Sequence, residues 1–360
     1  MGRGLGVSPA GEPKGSRWVG LVAGGVLALL ALGPLLGRGY VLTYDMVFVP
    51  RPEVARGLLG LDTAVARAVP ADLLVALASR LVPAALVQQL VLAGVFVGGA
   101  AGAARLAPSR SLAARAAAAV LYAWNPFLYE RLVMGHWGLL VSYAALPWVA
   151  RAALDLRLGK DRSVPRLVLS LALAAAGNPS GGLLAALVAL GVAAAPPWGV
   201  VDSRENRSGE SATLPLRGGA PRKAGFRPAR RAALVATVAL VVNAPWLVPS
   251  VLRPGGVPVR TEGVEAFAAR ADGPLGTVGS LVGLGGIWNA LAVPPGLGSW
   301  PWLGGFVVVL AVAVAGLPLL GRRWPPGAAV GLLAAAGAGL MLAAAPALPG
   351  LRSLAELVVT

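Results

Sequence analysis

Long stretches of the chain carry no charged side chain, and the charged residues are confined to the segments between them. The stretches without Asp, Glu, Lys or Arg are 18–37, 81–104, 116–129, 132–150, 167–201, 232–252, 273–321 and 324–351. Roughly 20 apolar residues in a helix cross a hydrocarbon core about 30 Å thick, where an ionised side chain is costly. The pattern predicts an all-α, polytopic transmembrane helix bundle. A soluble α-solenoid, the alternative, would need charges every few residues on its exposed faces.

The stretch 167–201 is too long for one crossing and short for two. Its middle reads Ala-Gly-Asn-Pro-Ser-Gly-Gly from Ala176 to Gly182, which interrupts a helix because Pro lacks a backbone N–H and Gly favours turns. Two interpretations are open at this point. Either two short helices return the chain to the side it left, or one kinked helix crosses.

The distribution of Lys and Arg separates these interpretations. A returning pair places 21 of them on the side of the N-terminus and 10 on the other, whereas a single crossing divides them 15 to 16. Positive residues accumulate in cytoplasmic segments, so we favour the returning pair. The prediction is about nine passes through the plasma membrane with a cytoplasmic N-terminus.

The first apolar stretch follows a basic leader that contains Arg3, Lys14 and Arg17. A signal peptide is the alternative, but its apolar region is typically 7–15 residues and ends at a small-residue cleavage site. The run here is near 20 residues and ends in Gly-Arg-Gly-Tyr. We therefore interpret it as a retained first helix.

These positions divide the chain into successive segments. They are a cytoplasmic leader 1–17, a transmembrane module 18–198 with a first outer loop 38–82, a basic cytoplasmic linker 199–231 that we predict to be disordered, a second transmembrane module 232–345 with a second outer loop 253–301, and an outer tail 346–360. An interfacial helix is expected near 71–80. The other predicted helices are 83–104, 111–124, 132–152, 232–252, 303–320 and 326–345, with a tight turn at 124–127.

Composition narrows the function classes. The chain has 360 residues, 57% of them hydrophobic and 13% charged, with a net charge of +16. Its basic residues flank the membrane helices, where anionic lipid is the expected partner. Nucleic acid is not an expected partner, because the linker 199–231 has Phe226 as its one aromatic residue for base stacking. With no Cys and one His, thiolate and His-rich metal sites are excluded. No cofactor is predicted, and whether the protein needs a divalent metal ion stays open.

Asp45 is the first candidate for chemistry on the outer face. It stands alone in a mostly apolar stretch just after the first helix. A carboxylate in apolar surroundings is a usable general base, because its pKa is raised. The alternative is a loop carboxylate that caps a turn or pairs with Arg51.

Two further clusters lie on the same face. Glu130 and Arg131 precede His136 by one to two helical turns, and they could bind an acceptor or act as acid and base. The alternative is a solvated ion pair beside a hydrogen-bonded histidine at the interface. The second outer loop adds Arg260, which could hold an anionic head group or belong to an ordinary solvated loop.

Three features together resemble a known superfamily. They are Asp45 in the first outer loop, the block Leu-Tyr-Ala-Trp-Asn-Pro from Leu121 through Ala-Leu-Pro-Trp at Trp148, and Asn-Ala-Pro-Trp-Leu-Val-Pro from Asn243. The chain resembles the GT-C polytopic membrane glycosyltransferases, nearest to actinobacterial integral membrane proteins of the α-(1→3)-arabinofuranosyltransferase type. Many members carry a second acidic residue two positions from the first, and Asp45 has none there.

The resemblance implies a GT-C-like helix arrangement and a function in the cell envelope. A polyprenyl-phosphate-linked sugar would be the donor and a glycan the acceptor on the outer face. Asp45 would act as the base, and Arg38, Arg131 or Arg260 would hold the phosphate. The rival expectation is a non-catalytic membrane subunit or a translocator of lipid or glycolipid, which would work with the polar backbone at the break between Gly177 and Gly182.

Overall fold

The computed structural model describes residues 16–37, 39–62, 68–196, 227–252, 261–325, 327–348 and 350. The structure is 73% helix, and its described residues form no β-strand. The helices are α1 Ser16–Leu32, α2 Ala71–Ala78, α3 Ala84–Leu106, α4 Leu112–Ala123, α5 Pro126–Val133, α6 Trp137–Arg157, α7 Ser163–Gly177, α8 Pro179–Ala194, α9 Pro228–Leu252, α10 Thr261–Ala266, α11 Gly276–Val282, α12 Trp300–Arg323 and α13 Ala328–Ala344.

Six of these helices are long and apolar enough to cross a bilayer, namely α1, α3, α6, α9, α12 and α13. Helices α7 and α8 are apolar but have only 15 and 16 residues, and α4 has 12. The all-helical, membrane-embedded class predicted from the sequence is confirmed. The number of nine passes and the GT-C-like arrangement stay predictions.

Helices α7 and α8 form a hairpin that packs along α6. Gly177, at the end of α7, lies against Gly138 at the beginning of α6. At the other end of α6, the Arg157 guanidinium donates hydrogen bonds to carbonyls at the end of α8, among them Val192 O at 3.2 Å and Ala195 O at 2.7 Å. The chain therefore turns beside the start of α6 and comes back to the end from which α7 left.

Asn178 makes this turn possible. Its side-chain oxygen accepts hydrogen bonds from the backbone N–H groups of Ser180, at 2.9 Å, and Gly181. It thereby satisfies donors that the first turn of α8 leaves without an intrahelical partner. Pro179 occupies the first position of α8, where a missing N–H costs nothing. One sequence motif thus ends one helix and begins the next.

Helix ends with opposite charge character lie at opposite ends of the bundle. We name one of them the basic end; its Lys and Arg residues are Arg105, Arg110, Arg115, Arg151, Arg157, Lys160, Arg162, Arg166, Arg227, Arg230, Arg231, Arg322 and Arg323, with Asp155 and Asp161 as its described acids. Within the basic end, hydrogen bonds connect neighbouring helices, for instance from Arg115 Nη1 to Ala104 O at 3.2 Å and from Arg231 Nη1 to Arg157 O at 3.3 Å.

The other end, the acidic end, holds residues 39–62 and helices α2, α5, α10 and α11. Its described acids are Asp45, Glu53, Asp62, Asp72, Glu130, Glu262, Glu265 and Asp272, against Arg51, Arg56, Arg80, Arg131 and Arg270. Among the described residues, Lys and Arg far outnumber the acids at the basic end, and acids outnumber Arg at the other end.

The structure corrects the prediction of one helix over 132–152. Two helices occupy this region, α5 and α6, and the chain turns between them at Gly135, whose φ is +78°. The turn predicted at 124–127 is present at Trp124 and Asn125, between α4 and α5, and α5 begins within it: the Asn125 side chain accepts a hydrogen bond from the Leu128 N–H at 3.1 Å, and Pro126 is the first residue of α5. The helix expected near 71–80 is present as α2, and its interfacial position stays a prediction.

Close approach of small residues holds α1 against α3. A Cβ atom on Gly24 would lie 2.6 Å from Val97 Cα and 2.8 Å from Phe96 O, and one on Gly20 would lie 2.6 Å from Ala101 Cα. Gly20 and Gly24 are four residues apart on one face of α1. Such spacing lets two helix backbones pack closely in lipid.

Adjacent glycines in α1 provide a matched test of this contact. We expect Gly24→Ala to lower the free energy of unfolding by about 1–3 kcal/mol, because the added methyl group overpacks the contact with α3. Gly25→Ala meets nothing within 4 Å and should be neutral or stabilising by up to about 1 kcal/mol, since Ala favours helix. Thermal unfolding in detergent measures both. Equal melting temperatures for the two variants would contradict the packing.

Candidate functional site

A short turn carries Asp45 across the acidic end of the bundle. The Thr43 hydroxyl donates to Val133 O at 2.5 Å, and the Asp45 N–H donates to Met134 O at 3.1 Å. Gly135 allows this approach, because a Cβ atom there would overlap the backbone of Thr43 and the amide nitrogen of the residue after Asp45. The loop after α1 is thus fastened to the turn between α5 and α6.

This docking brings Asp45 and His136 together. His136 Nε2 lies 3.2 Å from Asp45 Oδ2, with 24% of the histidine side chain and 64% of the aspartate side chain exposed. The apolar enclosure expected for Asp45 from the sequence is therefore not what surrounds it. Met46 and Phe48 pack inward, whereas Val47 and Tyr44, which adopts a left-handed conformation with φ of 38°, are exposed beside the carboxylate.

Burial lowers the pKa of His136 below its ordinary value of 6.5, and the positive charge of Arg131 lowers it further. The hydrogen bond to Asp45 and the charge of Asp45 act in the opposite direction and offset part of the shift. The imidazole is therefore neutral near pH 7. A neutral ring that donates its Nε2–H to the carboxylate orients Asp45 without removing its charge.

The Asp45–His136 pair lies in a groove of about 480 Å³ that we name the polar groove. Asp72, in the first turn of α2, and Asn178 and Ser180, at the hairpin turn, also line it. Carboxylates, an amide, a hydroxyl and an imidazole from four separate parts of the chain thus surround one space. Such groups match the alternating donors and acceptors of a polyhydroxylated ligand.

A second pair of carboxylates lies outside the lining of this groove, with Glu130 buried and Asp272 half-buried. Glu130 is 1% exposed, and its Oε1 finds no hydrogen-bond partner among the described residues. Asp272 Oδ2 accepts a hydrogen bond from the Gly286 N–H. A Cβ atom on Gly285 would lie 3.1 Å from Glu130 Oε1 and 2.5 Å from Asp272 Oδ2, so the two oxygens are within about 5.6 Å of each other.

Burial raises the pKa of Glu130 to about 8, and the negative charge of Asp272 adds to the effect. Arg131 and the backbone at Ile287 oppose it. Burial also raises the pKa of Asp272. Two carboxyl groups at this separation cannot both ionise freely, so Glu130 is largely protonated at pH 7.

An apolar groove of about 650 Å³ lies on the other side of α5. The apolar residues that line it include Leu35, Phe96, Trp124, Leu132, Pro294 and Trp302. Val133, whose carbonyl holds the Thr43 hydroxyl, also lines it. The polar groove and the apolar groove are thus separated by α5 and the turn that follows it.

Four of the six site residues proposed from the sequence lie on described parts of the chain. Asp45 and His136 are in contact, and Arg131 acts on His136 through its charge while its guanidinium stacks 5.3 Å from the centre of the Phe127 ring. Glu130 faces Asp272 instead of the polar groove. Arg38 and Arg260 lie outside the described residues.

Sequence reasoning missed Asp72, Asn178 and Ser180 as neighbours of Asp45. The sequence did indicate that Asp72 lies in the first turn of a predicted interfacial helix and that Asn178 lies at a helix break. Neither observation indicates that these residues approach the loop that carries Asp45. Among the described residues, no three His, Cys, Asp or Glu side chains form a group that could hold a metal ion.

Comparison with protein-family models, with curated proteins and with solved structures finds no match for this chain.

His136 is the one histidine of the chain, so its titration can be followed directly. We expect its pKa to lie below 6.5, to rise in Arg131→Gln because a repelling charge is lost, and to fall further in Asp45→Asn because a stabilising carboxylate is lost. NMR of histidine-labelled protein with a His-free purification tag measures all three. A pKa above 6.5 in the wild type, or the reverse order in the variants, would contradict the geometry.

The Glu130 carboxyl predicts that stability falls as pH rises. Its ordinary pKa is 4.5 and its folded pKa is about 8, so between these values the folded chain binds the extra proton and ionisation favours unfolding. Glu130→Gln should remove this dependence and raise the free energy of unfolding at about pH 8.5 by about 1–3 kcal/mol. Thermal unfolding from pH 5 to 9 measures it, with exposed Glu53→Gln as control. An unchanged slope in Glu130→Gln would exclude this carboxyl as the source.

Proposed function

We propose that the chain is a polytopic membrane glycosyltransferase with a GT-C-like helix arrangement. It transfers a sugar from a polyprenyl-phosphate donor to a glycan acceptor on the outer face of the plasma membrane, in assembly of the cell envelope. One observation carries the proposal. An exposed carboxylate, held by a neutral histidine, lies in a polar groove beside an apolar groove, at the end of the bundle opposite the basic end.

The polar groove suits the acceptor. Asp45 accepts the proton of an acceptor hydroxyl as the hydroxyl oxygen attacks the anomeric carbon of the donor. The bond from that carbon to the phosphate oxygen breaks, and its electron pair leaves with the polyprenyl phosphate. His136 orients the carboxylate. Asp72 lines the same groove and supplies the second carboxylate that the sequence lacks next to Asp45.

The phosphate of the donor needs a cation beside the groove. Arg131 is close enough to shift the pKa of His136, and its Nε finds no hydrogen-bond partner among the described residues. A guanidinium with an unpaired N–H is suited to an anionic oxygen. Arg38 and Arg260 stay the other candidates for this role.

The apolar groove suits the polyprenyl chain. Its lining is formed by aliphatic, aromatic and proline side chains from the end of α1, the middle of α3, the junction of α4 and α5, α5 itself, and the residues before and at the start of α12. An isoprenoid has no hydrogen-bonding groups, so such a surface binds it by excluding water. Because only α5 and the turn that follows it separate the grooves, a donor lying in one can present its phosphate to the other.

A translocator that uses polar backbone would need the break between α7 and α8 near the middle of the membrane. In the structure Gly177 packs on Gly138, the second residue of α6, and Asn178 satisfies the first N–H groups of α8. The break is therefore level with a helix end. It lines the polar groove instead of offering open backbone at depth.

A transfer assay tests the proposal. Purified protein is supplied with a polyprenyl-phosphoryl sugar and a glycan acceptor, and wild type is compared with Asp45→Asn. We expect transfer to fall by about 10²-fold or more in the variant, because a positioned base contributes roughly 10²–10⁴-fold. Glu53→Gln, an exposed carboxylate of the same loop, is the matched control and should keep full activity.

Melting temperatures establish that both variants are folded. Equal transfer by wild type and Asp45→Asn would remove Asp45 from the mechanism. No transfer by wild type across the donor and acceptor panel would favour the non-catalytic alternative.

A further inference from the structure

A second amphipathic groove lies at the basic end, between α3, α6 and α7, and we name it the basic groove. Its volume is about 550 Å³. Charged side chains line one part and apolar side chains the other; the residues used below are Arg105, Trp148, Arg151, Asp155, Arg166, Leu169 and Leu173. It lies at the opposite end of the bundle from the polar groove and has no part in the proposed transfer.

Asp155 organises the charged part. Its carboxylate is 4% exposed and contacts three cations: Lys160 Nζ at 2.9 Å, Arg166 Nη1 at 3.1 Å and Arg151 Nε at 3.5 Å. One negative charge thus holds three positive charges in place and leaves an excess of two. Arg166 remains 56% exposed and Arg151 37% exposed, so both have N–H groups available to a further anion.

Arg105 adds a fourth cation. Its guanidinium lies 4.9 Å from the centre of the Trp148 ring, and the described residues provide no carboxylate that pairs with it. Trp148 is itself fixed, because its indole N–H donates to Gly98 O at 2.9 Å. Arg151 Nη1 donates to Arg105 O at 3.1 Å, which ties the two arginine-bearing helices together at this point.

The apolar part continues along α7. Arg166, Leu169 and Leu173 follow one another at helical spacing, so they share one face of α7. Leu169 is 72% exposed and Leu173 49% exposed. Because α7 begins at the basic end, the two leucines lead from the cations toward the middle of the bundle over roughly 10 Å. The groove is therefore cationic at its mouth and apolar along its length.

We propose that the basic groove binds one anionic glycerophospholipid. Its phosphate lies among the guanidinium groups of Arg105, Arg151 and Arg166, and an acyl chain lies along Leu169 and Leu173. A free phosphate would use the cations and leave the leucines uncovered. A zwitterionic lipid would place its own cation beside an uncompensated positive cluster. An anionic headgroup with an attached chain satisfies both parts of the groove.

Native mass spectrometry on the purified full chain tests this proposal. Wild-type protein, delipidated and titrated with phosphatidylglycerol or phosphatidylcholine of identical chains, should retain one phosphatidylglycerol in preference to phosphatidylcholine. Inorganic phosphate should not displace it, because the apolar contacts are lost. This comparison needs no variant. Equal retention of the two lipids, or displacement by inorganic phosphate, would overturn the proposal.

Variants locate the site. A basic residue near a membrane surface contributes to anionic-lipid binding by about a fivefold change in affinity, so the double variant Arg105→Gln with Arg166→Gln should weaken phosphatidylglycerol binding by about 25-fold. Arg230→Gln removes one positive charge at the same end but outside the groove, and it should leave that binding unchanged instead of weakening it about fivefold. Leu173→Gln should weaken it through the acyl chain.

Melting temperatures in lipid-free detergent verify folding for each variant. Unchanged lipid binding in the folded double variant, or an equal loss in Arg230→Gln, would show that the groove is not the binding site.

Discussion

An ionised side chain in the centre of a membrane costs roughly 2.5–3.5 kcal/mol by insertion scales, and the rest of this structure depends on avoiding that cost. Charged residues therefore lie at helix ends, which leaves two aqueous faces as the places for polar chemistry. In the part of the chain that the structure describes, these faces differ in character: interlocked arginines surround Asp155 at the basic end, and eight acids stand against five arginines at the acidic end. The polar groove, the carboxyl pair of Glu130 and Asp272, and the basic groove all lie at these two faces.

At the acidic end, backbone geometry decides which polar groups meet. Gly135 ends α5, permits the turn that bears Asp45 to approach, and so brings the carboxylate to His136. The same stretch of chain carries Glu130 to Asp272 on its other side. A neutral histidine and a protonated glutamic acid then lie within one short segment. Burial favours the neutral form of both groups. The positive charge of Arg131 favours a neutral His136 and an ionised Glu130.

Much of the fold could be predicted from the sequence, and much less of the site. Charge-free stretches indicated the helices, and the interruption around Asn178 with the count of Lys and Arg favoured the hairpin that α7 and α8 form. The single helix proposed over 132–152 was wrong because an apolar stretch does not reveal the positive φ at Gly135. Asp45 and His136 were both identified, but their contact and the approach of Asp72 depend on tertiary docking. Local sequence carries no signal for that docking.

The distribution of Lys and Arg predicts that the basic end lies on the cytoplasmic side of the membrane, and labelling tests this orientation most directly. The chain has no cysteine, so Glu53→Cys at the acidic end and Arg110→Cys at the basic end can each be introduced as the sole thiol. Treatment of intact cells with a membrane-impermeant maleimide should label Glu53→Cys, and Arg110→Cys should react only after permeabilisation. Labelling of Arg110→Cys in intact cells, or of both positions from the same side, would contradict the account.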